Sequence, residues 1–516
     1  MEMTKKQQMA HELAAKVDPG SFGYRIPGIQ TWVILLAYFA LIIISPHTGL
    51  VFSQIVAIYL LFRFTMVAFF YLISLERIRR TQKRLQKGPA SDGLTTEQKE
   101  KYKKIHHVVI FPNYKEPIEV LSRSLDALVK QTIDCQQLTV VMAMEEAEAE
   151  SREKGRLLAE KYSQYFGNFV LSYHPAHLPN EIPGKAANQS WAARQVKREI
   201  LDPMGIPLEN VTVSSCDADS ELDPNYFAEL TREFVTCEKP ENLIWQSPIF
   251  FDHNIWQTPG SVRLLTFFNN AVQVSELSNP LAMAFPLSTY SLSFRLLVDV
   301  DYWDPIVISD DWHMFLRCFF AKGGDMKLRS IYLPTVGEPF LGETLWKTWV
   351  MVYKTRVRHA WGAGDMVYML QQWRKQYRTP FLPKVGRFTK IWHDNMVFSL
   401  GGVITVVGTL LSIIIDGNPV ITYPPFPVPY VMPVLNLMGG LGLVTIWLVE
   451  RMRCNNKKFS WRFGVILGEI GSWIIFPVIT FTLSGIPALH AHTKMLFGGS
   501  LTFERTPKGL LPKNTH

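Results

Sequence analysis

The sequence predicts an α/β domain with a doubly wound sheet, set between groups of α-helical membrane-spanning segments. Three observations predict it. Long apolar stretches flank a polar region of about three hundred residues. Within that region short apolar runs alternate with amphipathic ones, the pattern of strands joined by helices. Acidic residues gather where the apolar runs end, which is where open α/β sheets place their ligands.

With 516 residues, 47% apolar and 19% charged, the chain is too apolar for a purely soluble enzyme and too polar for a pure transporter. An N-terminal segment, 1–28, precedes two spans within 29–75. Residues 29–45 carry no charge and are just long enough to cross a bilayer, and 50–75 carry one, Arg63. Residues 76–104 form a basic linker. The α/β domain occupies 105–340, amphipathic interface helices 341–394, and three or four further spans 395–497, followed by a tail, 498–516. Stretches 395–415 and 430–449 are free of charge, whereas 463–489 contains Glu469. Pro477 and Pro487 interrupt this last stretch, which is long for one helix and short for a hairpin, so five or six crossings fit.

Arg77, Arg79, Arg80, Lys83 and Arg84 follow the second span, and Arg451, Arg453, Lys457, Lys458 and Arg462 follow the fourth. The intervening loop 416–429 has neither Lys nor Arg. The positive-inside rule then places the large domain on the cytoplasmic face of a multi-pass membrane protein. The net charge of +8 clusters beside the spans, which favours anionic lipid headgroups as partners over nucleic acid. Cys135, Cys216, Cys237, Cys318 and Cys454 are scattered, which reads as reduced thiols with no disulfide frame or zinc site.

Inside the domain, 107–111 reads as a buried strand ending in a Pro-Asn-Tyr-Lys-Glu-Pro turn, and 118–131 as a helix. Residues 138–144 form a second strand ending at Glu145-Glu146, and 147–166 a charged helix. A third strand, 168–173, a helix, 184–200, and a fourth strand, 211–215, follow. The fourth strand ends in Asp217-Ala218-Asp219. Later amphipathic helices, 263–274, 343–353 and 366–377, carry Trp346, Trp349 and Trp373 among cations and suit either a membrane surface or ordinary packing.

Two acidic signatures carry the chemistry. Asp217 and Asp219, spaced D-x-D at a strand end, offer the hard oxygens that Mn²⁺ or Mg²⁺ takes together with phosphate. Asp311, in Ser309-Asp310-Asp311-Trp312-His313, is placed to act as a base on an attacking hydroxyl, although a carboxylate at a helix start is often only a cap. Lys185, in a Gly-Lys turn, is a candidate phosphate contact. A metal-held diphosphate leaving group and a base, on a membrane anchor, point to glycosyl transfer at a bilayer surface.

The series Pro112-Asn113-Tyr114-Lys115-Glu116, Glu145-Glu146, Pro183-Gly184-Lys185-Ala186-Ala187-Asn188, Asp217-Ala218-Asp219 and Ser309-Asp310-Asp311-Trp312 resembles family 2 glycosyltransferases. It is closest in pattern to the membrane-embedded branch with cellulose, hyaluronan and chitin synthases. The resemblance implies a GT-A fold, a nucleotide-diphosphate sugar donor with UDP favoured, and inversion by single displacement. The acceptor it implies is a growing polysaccharide, with coupled export, or alternatively a membrane lipid; the competing reading of another class is a catalytically silent scaffold or transporter component that kept the fold. By position it assigns Asp219 with Asp217 to the metal and donor diphosphate, and Asp311 to the base. Asn113, Tyr114, Glu116, Lys185 and Arg358 would line the donor pocket. Ser288, Thr289, Tyr290, Asp310, Trp312, His359 and Trp361 would lie toward the acceptor.

The chain departs from the family pattern twice. The aspartate that holds the base ring is replaced by Glu145 or Glu146, with Glu145 favoured. The Q-x-x-R-W motif reads Thr355-Arg356-Val357-Arg358-His359, with Trp361 two residues on, which puts processive polymerisation in question. The tail 503–508 also resembles one found on the cytoplasmic side of such transferases.

Overall fold

The computed structural model describes Leu13 and residues 21–179, 181–416, 428–454, 471–473 and 475–499. In chain order the strands are β1 (His106–Pro112), β2 (Leu138–Glu145), β3 (Asn168–His174), β4 (Val211–Ser215), β5 (Glu221–Leu222), β6 (Leu243–Gln246), β7 (Ile249–Phe251), β8 (Tyr290–Ser293), β9 (Lys327–Ser330) and β10 (Thr335–Gly337). A seven-stranded sheet has the order β3-β2-β1-β4-β8-β6-β9, and a smaller one the order β5-β10-β7. Strands β1 to β4 are parallel, as the alternation with helices predicts. Strand β8 runs antiparallel to both β4 and β6, so the second half of the sheet is mixed.

Every residue of β2 and β4 is buried, because helices cover both faces of the sheet. Side-chain alternation divides them between two cores. Val108, Ile110, Val141, Ala143, Val213, Ile244 and Leu292 pack on one side with Ala192, Ala193 and Val196 of helix Lys185–Val196. Val109, Phe111, Val140, Met142 and Trp245 pack on the other with Leu121, Leu125 and Leu128 of helix Ile118–Val129 and Phe234 of Tyr226–Thr236. Helices Lys185–Val196 and Ile118–Val129 were expected within a few residues of these bounds; Tyr226–Thr236 was not.

Among the described residues three helices, Phe22–Ile44, Pro46–Lys87 and Phe381–Asp416, are long and apolar enough to cross a membrane. The second runs on to Lys87 where a linker was expected from residue 76. Docking explains the extension: Ser74 Oγ donates to Val274 O at 2.7 Å, and Arg84 pairs with Glu229 at 2.5 Å. The rest of that segment holds a second helix, Thr96–Lys104, closed by a Thr95–Gln98 capping box. The third helix starts well before the expected span at 395. Its early turns tolerate charge because Lys390 bonds Glu276 at 2.5 Å and Asp394 at 2.8 Å, while Arg63 meets Asp394 at 3.4 Å.

The expected span at 430–449 is the helix Val428–Arg453. Of the expected 463–489 span, the described part includes a helical run through α-helix Phe476–Thr480, π-helix Phe481–Gly485 and α-helix Ile486–Leu496, with Pro477 and Pro487 each in the first turn of an α-helical piece. Glu469, most of the loop 416–429 and the 503–508 tail lie outside the described residues. The final helix packs on the first. A β-carbon at Gly28 would stand 2.3 Å from His492 O, so only glycine permits this approach. Thr31 Oγ1 and His492 Nδ1 bond beside it at 2.8 Å.

Candidate functional site

The site lies at the carboxyl ends of β1, β2 and β4, where the parallel half of the sheet meets antiparallel β8. Lys185 starts helix Lys185–Val196 directly after Gly184. Its Nζ donates to Asp217 Oδ1 at 2.8 Å and to Ser288 O at 2.7 Å, and stands 3.6 Å from Asp311 Oδ1. One ammonium thus gathers the strand-end aspartate and the helix-start aspartate, which lie 94 positions apart (311 − 217) in the chain. Burial alone would lower the Lys185 pKa, but Asp217 and Asp311 raise it well above its ordinary value.

Ser288 completes this cluster. Its N–H donates to Asp311 Oδ2 at 2.7 Å and its Oγ to Asp217 Oδ2 at 2.5 Å. A φ of +55°, uncommon for a residue with a side chain, turns all three of its polar groups inward. Asp311 Oδ1 makes no hydrogen bond and is covered by protein. Asp310, one position earlier, accepts from Gln189 Nε2 at 2.7 Å, and Gln189 is steadied by Ser215 Oγ at 2.8 Å. Burial and the Asp311 charge push the Asp310 carboxyl up to about 7. Burial likewise raises Asp311, against the pull of Lys185.

Asp219 has a different setting. It is 3% exposed, and its Oδ2 accepts from the Glu338 N–H at 2.7 Å, beyond the end of β10. The Asp217 side chain is 32% exposed and faces the opening. Among the described residues no three His, Cys, Asp or Glu side chains converge as a complete metal cage. Asp217 and Asp219 carry carboxylate oxygens, the donor type that Mg²⁺ or Mn²⁺ takes together with phosphate.

Arg358 sits near the end of helix Leu345–Ala360. Burial lowers its pKa, while the charges of Asp217, Asp310 and Asp311 pull it back up. His359 opens to solvent, yet enclosing protein and the charges of Arg358 and Arg356 hold it neutral, at about 3.

Several expected contacts turn out to be supports. Thr289 is wholly buried, its Oγ1 accepting from the Asp217 N–H at 3.2 Å and bonding Ser220 Oγ at 2.7 Å. Tyr290 is wholly buried within β8 and accepts from Trp303 Nε1 at 2.8 Å, so it does not line a surface. Trp361 packs beside Tyr24 of the first helix, with ring centroids 6.3 Å apart. Trp312 is half-buried, stacked on Phe285 at 4.8 Å. On the donor side, Asn113 is buried and its N–H donates to Ala143 O at 2.9 Å, while Glu116 Oε2 accepts from the Tyr114 N–H at 2.5 Å. Glu145 is engaged by His174 Nδ1 at 3.1 Å, and His174 Nε2 meets Glu181 at 2.9 Å. This Glu–His–Glu clamp holds the loop that leads into Lys185. The sequence reading missed Gln189, His174 and Glu181. Gln189 alone had a local signal, its i, i+4 spacing from Lys185.

No curated protein matches the chain. Among solved structures it is similar to mannosyltransferase PcManGT from Pyrobaculum calidifontis in complex with GDP-Man and Mn²⁺, at 15% identity and a TM-score of 0.42, over 86% of this chain and 99% of that one. It is also similar to S. aureus TarS 1–349 in complex with UDP, at 13% identity and a TM-score of 0.35, over 70% of this chain and 95% of that one. Neither likeness is near enough to carry an argument. Residues 213–443, from within β4 into helix Val428–Arg453, match the family described as Glycosyl transferase family group 2. The matched stretch carries Asp217, Asp219, Ser288, Asp311 and Arg358, so most of the acidic cluster at the carboxyl edge of the sheet lies in a segment similar to family 2 glycosyltransferases.

Proposed function

We propose that the chain is an inverting, metal-assisted membrane glycosyltransferase that moves a sugar from a nucleotide-diphosphate donor, with UDP favoured, to an acceptor hydroxyl at the cytoplasmic face. The observation that carries this reading is the pairing of Asp217 and Asp311 on Lys185. It puts a diphosphate-side carboxylate and a base-side carboxylate within one residue's reach. Asp311 Oδ1 has hydrogen-bonding capacity to spare and accepts the proton as the hydroxyl attacks the anomeric carbon. Its other oxygen is held by Ser288, which fixes the carboxylate plane. Lys185 and Arg358 face the departing diphosphate. Asp217, with Asp219 behind it, would hold a Mn²⁺ or Mg²⁺, which neutralises leaving-group charge when bound.

The acceptor on this reading is a growing glycan, for which the helices after the domain supply a route of export. A second reading, a membrane-lipid acceptor and a single transfer, is favoured by Trp361. Its ring packs toward Tyr24, leaving His359 as the exposed ring of that segment. The test is nucleotide release by detergent-purified protein from a panel of UDP- and GDP-sugars with Mn²⁺ or Mg²⁺ and lipid extract. Release from one donor, lost in EDTA and in Asp311→Asn, supports the assignment. Product length by mass spectrometry then separates polymer from glycolipid, and no release from any donor sinks both.

A further inference from the structure

Asp310 and Asp311 open the helix Asp310–Ala321, and His313 lies in the same first turn, 2% exposed. Its Nδ1 bonds Asp365 Oδ1 at 2.8 Å. Its Nε2 lies 3.7 Å from Asp304 Oδ2 and makes no hydrogen bond. The Tyr368 ring covers the imidazole at 4.3 Å. Arg317, a turn on, donates to Val300 O at 2.6 Å and Tyr302 O at 3.0 Å, and reaches Asp304 at 4.0 Å. Burial disfavours a charged His313, but Asp304 and Asp365 outweigh it and raise its pKa to about 9. The ring is therefore a cation at neutral pH.

Two features separate this cluster from ordinary packing. A buried ion group is expensive to desolvate, and apolar residues of similar volume commonly stabilise a core as well or better, so its retention favours a role in register. Its position also matters. Asp365 is the second residue of helix Gly364–Lys375, which follows the short turn Trp361–Ala363 after Arg358 and His359. The His313–Asp365 bond therefore ties the turn that carries Asp311 to the segment that carries Arg358.

We propose that His313 is a positioning residue for the transfer step, its bond to Asp365 setting Asp311 in register with Arg358 across the reacting centre. This rests on Asp311 being the base. The test uses full-length protein in detergent and compares wild type, Asp311→Asn, His313→Gln, Asp365→Asn and the double variant. Nucleotide release is the kinetic readout, and thermal unfolding and binding of UDP with Mn²⁺ are measured alongside. The expected result is a fall in kcat of about 10- to 100-fold in each of His313→Gln and Asp365→Asn, the cost of a displaced catalytic group. Nucleotide affinity should stay within about threefold, and the double variant should be no worse than the poorer single one. Wild-type kcat should also fall as pH rises through about 9, a limb that His313→Gln lacks. Full kcat in folded His313→Gln and Asp365→Asn, or a loss matched by the loss of folded protein, overturns the inference. If Asp311→Asn is also fully active, the base assignment has failed instead. Should His313→Gln not fold, Asp365→Asn reads the same contact from the other helix.

Discussion

The backbone N–H of Ser288 holds Asp311 Oδ2 at 2.7 Å, and it can do so only because Ser288 adopts a φ of +55°. Proline at this position would remove the donor and force φ negative. Ser288→Pro should therefore abolish transfer. Ser288→Ala keeps the N–H and loses only the Oγ contact to Asp217. A hydrogen bond to a charged group contributes about 1.5–3 kcal/mol, so the donor KM should rise roughly ten- to hundredfold with kcat little changed. Steady-state nucleotide release separates the two variants. A larger kcat effect for Ser288→Ala than for Ser288→Pro would remove Ser288 from its place as a backbone donor.

The pH profile should report the Asp310–Asp311 pair. Burial raises both carboxyls, with the Asp311 charge adding to it at Asp310, which reaches about 7, and the Asp217 charge adding to it at Asp311. A base must be ionised to act, so kcat/KM should climb with pH through the neutral range, well above an ordinary aspartate limb. The apparent pKa belongs to the pair. Asp310→Asn keeps an acceptor for Gln189 and removes the neighbouring charge, so the limb should move to lower pH. Lys185→Met removes the cation that stabilises ionised Asp311, so its limb should move to higher pH and donor binding should weaken. Shifts of the same sign in both variants would refute this electrostatic account.

Much of this site is legible in the sequence because its signals are local. A β-branched run ending in Asp217-Ala218-Asp219 and a Gly-Lys turn before a helix give the placement of Lys185 and Asp217 without knowledge of the rest. Tyr290 was not legible in this way. Its inward orientation depends on the register of an antiparallel strand set by the long excursion from β7, and a one-residue slip would turn it outward. Trp361 packs on a helix from the opposite end of the chain, and His313 bonds a partner 52 residues away. No periodicity encodes such pairs. The linker that proved helical beyond residue 76 failed for the same reason, since Glu229 and Val274, which hold it, lie in the α/β domain.

His313 also makes a stability prediction. Its folded pKa of about 9 lies above an ordinary histidine value near 6.5. A raised pKa means the folded state binds the proton more tightly, so the contribution is complete below about pH 6.5 and is lost as pH rises through about 9. The thermal midpoint of the wild type should decline across that window. His313→Gln should decline less, and the difference between the two curves isolates this group from His174, which is also raised by its glutamates. Parallel curves would mean that His313 is not protonated in the folded protein.

Glu450 joins the long second helix and helix Val428–Arg453 to the α/β domain. It is wholly buried, accepting from Asn270 Nδ2 at 2.9 Å, from Arg453 Nε and NH2 at 2.8 Å each, and from the Tyr71 hydroxyl. Arg453 in turn pairs with Asp252 and lies 3.8 Å over the Phe250 ring. Three elements thus meet on one carboxylate: the long second helix, helix Gly260–Glu276 and helix Val428–Arg453. Glu450→Ala leaves Tyr71 and Asn270 without this acceptor and Arg453 with Asp252 as its remaining carboxylate partner, a loss on the order of 3–5 kcal/mol. Glu450→Gln retains an acceptor and shape but not charge, so it should lose less. The measurement is hydrogen exchange across Gly260–Glu276 alongside thermal unfolding. If the carboxylate fastens the domain to the membrane helices, exchange there should rise in the order wild type, Gln, Ala, while strands β1 to β4 stay protected. Uniform loss of protection through those strands would instead make Glu450 a determinant of global stability.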